Sequence, residues 1–123
     1  MTIFVFGSNL AGKHYGGAAK YALEKFDAEM GIGEGLTGNS YALPTMDSTF
    51  SRLPLAAVDF GVHRFKRYAT NNPHLAFYVT RIGCGISGFT DEQIAPMFAG
   101  SPSNCTFDPQ WSSFGLPAWK EVL

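Results

Sequence analysis

Apolar positions along this chain alternate between strand-like runs and helical spacing. Thr2 to Phe6 is almost wholly apolar and stops at Gly7-Ser8-Asn9, the pattern of a buried strand ending in a turn. Beyond a glycine-rich stretch, Ala18, Ala19, Ala22, Leu23 and Phe26 recur at helical steps while Lys20, Glu24, Lys25 and Asp27 fill the other face, which predicts a first helix. Gly31 to Gly38 has no apolar period and reads as loop. Ser40 to Leu43 is a brief strand closed by Pro44, and Met46 to Arg52 is a polar connection. Leu55, Val58, Val62, Phe65 and Ala69 then set a second helix from about Pro54 toward Thr70, broken by Asn71-Asn72-Pro73. Leu75 to Thr80 is the clearest strand. Thr90-Asp91-Glu92-Gln93 has the capping-box pattern and opens a third helix running to about Ala99, kinked at Pro96. Cys105-Thr106-Phe107 reads as a last strand and Pro117 to Val122 as a short terminal helix.

Strands alternating with helices, joined by connections long enough for right-handed crossovers, predict an α/β fold. The expected architecture is three-layer α/β/α, with helices on both faces of a mostly parallel central sheet. The 123 residues suit a single domain spanning 1–123, and no repeat or linker divides them. Nine basic against ten acidic side chains, with no Lys or Arg run, argue against a nucleic-acid polymer as partner. Cys84 and Cys105 have no metal-ligand spacing and read as reduced thiols. No apolar run approaches the roughly 20 residues that cross a bilayer, so the expectation is a cytoplasmic protein without a membrane partner.

Two glycine-rich stretches follow strands. Gly7 to Gly17 links the first strand to the first helix, and Ile82-Gly83-Cys84-Gly85-Ile86-Ser87-Gly88-Phe89 links the clearest strand to the capped helix. Such loops bring bare backbone N–H groups close to an anion, and a helix start adds the positive end of its dipole. In open α/β sheets both would emerge at the carboxyl edge, where ligands bind. Together they point to a nucleotide-diphosphate site.

The order of these motifs resembles the macro-domain family. Val5-Phe6-Gly7-Ser8-Asn9 followed by Gly16-Gly17-Ala18-Ala19 is similar to that family's first strand, asparagine-bearing turn and helix start. Gly35 to Pro44 resembles its second segment. Ile82 to Phe89 resembles its diphosphate loop, including the Ile-Gly-Cys-Gly form of the branch that removes ADP-ribose from glutamate. The resemblance covers about Ile3 to Phe98 and implies an ADP-ribose cleft. In it Gly12, Gly16 and Gly17 on one side, and Gly83, Cys84, Gly85, Ile86, Ser87, Gly88 and Phe89 on the other, hold the diphosphate. Asn9 would lie near the distal ribose, where the matching asparagine of several macro hydrolases orients the sugar for attack by water. Two departures are visible. Ser87 stands where an aromatic or, in the glutamate-directed branch, an aspartate is found, which removes lysine-assisted chemistry. The family's adenine-reading acid lies ahead of the first strand, where this sequence starts, so base specificity is unassigned.

Asn9 has a second reading as an Asx turn that satisfies backbone groups. Cys84 reads as a packed thiol or a reactive one, and His14 as a solvated loop residue, a phosphate donor or an acid. Glu34, between Gly33 and Gly35, is a solvated carboxylate or a general base. Tyr15, Tyr41, Phe50 and Phe89 are candidates to stack on a base or ribose, Phe89 foremost. His63 and His74 lack partners at ligand spacing, so neither metal nor cofactor is expected. Three functions stay open: binding of ADP-ribose or a related nucleotide, with or without hydrolysis of an ADP-ribosyl bond; a Rossmann-like nucleotide hydrolase or glycosidase using Glu34; and a non-catalytic interaction domain. The tail from Trp111 to Trp119 offers either a homo-oligomer contact or a cover for the domain's own core.

Overall fold

The structure is a computed structural model and describes residues 2–120. Its centre is a mixed five-stranded sheet of order β2-β3-β1-β4-β5, formed by Thr2–Asn9 (β1), Gly35–Thr37 (β2), Ser40–Met46 (β3), Ala76–Val79 (β4) and Cys105–Phe107 (β5). All neighbours pair in parallel except β2, which runs antiparallel to β3. Helices Gly17–Lys25 (α1) and Leu55–Asn71 (α2) supply the two crossovers on either side of β3, and Asp91–Ile94 (α3) runs into a 3₁₀ turn at Ala95–Phe98.

β1 is apolar from Ile3 to Phe6, where it is central and covered on both faces. Its alternate side chains separate: Ile3 and Val5 pack with Val58, Val62, Phe65 and Ala69 of α2, whereas Phe4 and Phe6 pack with Ala19 and Ala22 of α1. This is the period-two alternation of a strand placed between two sets of partners.

Several elements depart from the sequence expectations for local reasons. β3 continues through Pro44 to Met46, because β2 pairs only with Ser40 to Ala42 and leaves the proline's missing N–H without a ladder to break. Its pairing with β1 shifts register between Ser8 and Asn9 at the same place. Gly35–Thr37, expected as loop, is this short edge strand. The capping box forms as expected, with the Gln93 N–H donating to Thr90 Oγ1 at 3.2 Å and the Thr90 N–H to Gln93 Oε1 at 3.0 Å. Pro96 then tightens the helix to 3₁₀ geometry.

The expected helix over Pro117 to Val122 is corrected. No helix forms over 117–120: Ala118 bridges Phe107 and the Trp119 N–H donates to Phe107 O at 3.0 Å, while Glu121 and Val122 lie outside the described residues. Trp111 is fully buried in the core and the Trp119 ring stacks on Tyr78 at 5.9 Å, so this tail covers its own domain. Both cysteines are free, and among the described residues no helix is long and apolar enough to cross a membrane.

Candidate functional site

A cleft of about 280 Å³ opens at the carboxyl ends of β3, β1 and β4. Gly7, Ser8 and Asn9 form its floor from β1, Thr45 and Met46 border it from β3, and Thr80 and Arg81 follow β4. The start of α1, Gly16 to Ala19, makes one wall and Gly85-Ile86-Ser87 the opposite one. These walls approach closely: Ile86 Cδ1 lies 3.7 Å from where a Cβ on Gly16 would stand.

Both walls present backbone donors. The first N–H groups of a helix have no intrahelical acceptor, and α1 begins on Gly16 without a side-chain cap. Among the described residues, the N–H groups of Gly17, Ala18 and Ala19 therefore have no protein acceptor, and neither do those of Gly85, Ile86 and Ser87. The second loop is shaped by turn bonds from Cys84 N–H to Arg81 O and from Gly88 N–H to Gly85 O, 3.1 and 3.0 Å. Gly83, with φ of +76°, allows the chain to turn under Phe89. The Ser87 hydroxyl is 2.6 Å from Thr45 Oγ1, which ties the loop to the end of β3.

Among the described residues, the charged ones that line the cleft are Lys13 and Arg81, and no carboxylate does. Arg81 is held by Asp91 through two bonds, Nε to Oδ1 at 2.9 Å and Nη2 to Oδ2 at 2.7 Å. Trp111 Nε1–H also donates to Asp91 Oδ1 at 2.7 Å. The Arg81 guanidinium and then the Trp111 donor hold the Asp91 carboxyl down at about 2.

Each residue singled out in the sequence has a definite position. Gly16, Gly17, Gly85, Ile86, Ser87 and Asn9 meet at the cleft. Asn9 is 3% exposed, and its amide closes the following loop: Oδ1 accepts the Lys13 N–H at 3.0 Å while Nδ2 donates to Lys13 O at 2.8 Å. The Asx-type role is thus present in the structure. Gly12 does not line the cleft; it turns the chain at φ of +68°, where a Cβ would collide with the backbone of Gly31 and Ile32. Gly83, Cys84, Gly88 and Phe89 shape the second loop without lining the cleft. Phe89 is 6% exposed and carries the Arg52 guanidinium over its ring at 4.8 Å, and Tyr41 is buried against Phe65, so neither ring faces a ligand.

His14 is not solvated. It is 1% exposed, edge-on to Phe6, with Nε2 3.1 Å from Glu29 O. The chain between Asn9 and Gly16 folds back over Phe6 instead of arching outward, which carries the imidazole into the interior. Glu34 sits away from the cleft in an ion pair with Arg64 of α2. Cys84 is half-buried; burial, then the neighbouring Asp91, pushes its thiol up to about 12, so it stays protonated at neutral pH. Lys13, Arg81 and Thr45 were not singled out by sequence reasoning. Arg81 could have been found by its place immediately after the strand that feeds the glycine loop, but Thr45 is brought in only by the longer β3.

No family model matches the chain, and no curated protein matches it significantly. A solved structure does: a protein of unknown function from Bacteroides thetaiotaomicron, at 14% identity over 87% of each chain with a TM-score of 0.57. The likeness shows a shared fold.

Proposed function

We propose that this protein binds ADP-ribose or a related nucleotide diphosphate in the cleft between α1 and the Gly83–Phe89 loop, within a three-layer, macro-like frame. The observation that carries the proposal is the convergence of two sets of unpartnered backbone N–H groups on one cleft whose charged lining is cationic. Backbone donors at a helix start and in a glycine loop suit phosphate oxygens, and two such walls suit two linked phosphates better than one. The sequence resemblance supports the same ligand class. Among the described residues no carboxylate, imidazole or thiol lines the cleft, so the reading claims binding and no acid–base step. A hydrolase built on Glu34 draws no support, since its carboxylate is paired with Arg64 outside that cleft.

Thermal shift with ADP-ribose, AMP, NAD and a panel of nucleotide sugars tests this reading. A ligand at 100 times its dissociation constant adds about 2.7 kcal/mol of stability, which raises the midpoint by several degrees in a domain of this size. ADP-ribose is expected to shift it more than AMP, which has a single phosphate. No shift with any ligand would sink the proposal.

A further inference from the structure

Phe50 stands in a backbone conformation that disfavours it. Its φ is +64°, the left-handed region that suits glycine or asparagine and strains a bulky aromatic. The surrounding turn enforces it. Asp47 Oδ1 accepts from the Thr49 N–H, Thr49 Oγ1 and the Ser51 N–H at 2.8, 2.7 and 3.0 Å. The Asp47 N–H donates to Ser51 O at 2.8 Å and the Phe50 N–H to Asp47 O at 3.2 Å. The strain gains little packing in return, because Phe50 is 46% exposed. Phe50 lines the same cleft as the two N–H walls.

The turn is also pinned to the glycine loop. Arg52, which bridges Met46, donates through Nη1 to Gly88 O at 3.3 Å and covers Phe89. Phe50 therefore sits on a braced turn coupled to the wall that offers Gly85 to Ser87. Backbone strain that the surroundings over-determine at a cleft is characteristic of functional positions.

We infer that Phe50 is a stacking platform for the aromatic base of the nucleotide whose phosphates occupy the glycine walls. This inference rests on the nucleotide reading above and adds the residue that holds the base. A flat, half-exposed ring binds a base by its π face, and a cleft holding such a ring beside anion donors fits a ligand that carries both groups. The inference predicts that affinity for the base and affinity for the phosphates separate on mutation.

The test is calorimetry with ADP-ribose and with inorganic pyrophosphate, together with thermal unfolding of the ligand-free protein, on wild type, Phe50→Asn and Phe50→Tyr. Asparagine tolerates the left-handed backbone, so Phe50→Asn should unfold at the same temperature as wild type or higher. It should bind ADP-ribose about tenfold or more weakly, while pyrophosphate binds within about twofold of wild type. Phe50→Tyr should keep ADP-ribose affinity within about threefold. Unchanged ADP-ribose affinity in Phe50→Asn would overturn the inference. So would equal losses for both ligands, or a marked fall in unfolding temperature, since each makes the ring structural. If wild type binds pyrophosphate but no nucleotide, the base platform falls while the anion walls stand. If it binds neither, the nucleotide reading falls and the platform with it.

Discussion

At Asn9 one side chain spans two scales of action, since its amide bonds both backbone groups of Lys13 and its residue forms part of the cleft floor. Asn9→Ala leaves the Lys13 N–H and C=O without these partners and should cost about 1–3 kcal/mol of stability in denaturant titrations. ADP-ribose affinity should fall with it, because the loop leading into α1 loses its closure. Gly85 tests the opposite wall without touching the fold. A Cβ there meets nothing within 4 Å and the backbone is not left-handed, so Gly85→Glu should fold normally. Its carboxylate would stand where phosphate approaches, and affinity should drop about a hundredfold or more. A folded Gly85→Glu that bound ADP-ribose normally would remove this loop from the site. His14 supplies the contrast. It is buried against Phe6 and does not line the cleft, so His14→Ala should destabilise by about 2–4 kcal/mol while leaving the dissociation constant within about threefold.

α3 begins at a residue with two further tasks, because Asp91 also orients Arg81 toward the cleft and accepts from Trp111. Its carboxyl titrates at about 2 in the folded protein, against about 3.9 in an unfolded chain. The folded pKa is the lower one, so the stabilisation is fully present above the unfolded value and is lost as pH falls toward 2. Asp91→Asn should therefore be less stable than wild type near neutrality, with the gap closing in acid; a gap independent of pH would mean that packing, not charge, holds the contact. Elements of this kind were legible in the sequence where one local signal dominated: the capping box at Thr90 and the helical spacing from Leu55 to Ala69 stand as read, whereas β1, read as ending in a turn at Gly7-Ser8-Asn9, runs through those residues to Asn9 because they pair with β3. β2 was not legible, because its three residues hold their place only by pairing with β3 and its central Leu36 is exposed. Extension of β3 past Pro44 depends on where β2 stops, and burial of His14 depends on the path of a whole loop. Neither is encoded within reach of a sequence window. At the cleft, the glycines that make the walls could be read because they follow strands, whereas Thr45 and Arg52 enter through tertiary contacts alone.

Across the whole molecule charge is nearly balanced, with a formal net of -1, yet the cleft is lined by Lys13 and Arg81. Attraction for an anionic ligand must then come from the local arrangement and not from a field over the surface, since the net charge has the same sign as the ligand. The two cations contribute differently. Arg81 is half-buried and already paired with Asp91, so part of its charge is neutralised within the protein and it is weakly screened by salt. Lys13 is exposed, and among the described residues no salt bridge uses it; an attraction between it and the proposed phosphate would run through solvent and be screened over a Debye length of about 10 Å at 0.1 M salt. ADP-ribose affinity should thus weaken as salt rises, and Lys13→Ala should both lower affinity at low salt and flatten that dependence. On the proposed reading the backbone N–H walls, with their fixed partial charges, would meet the phosphates directly, so a salt-resistant fraction of the affinity should survive in Lys13→Ala and vanish in Gly85→Glu. Calorimetry of both variants between low and high salt separates the terms. An affinity lost entirely with Lys13 would make this a cationic surface patch and not a backbone-lined phosphate site.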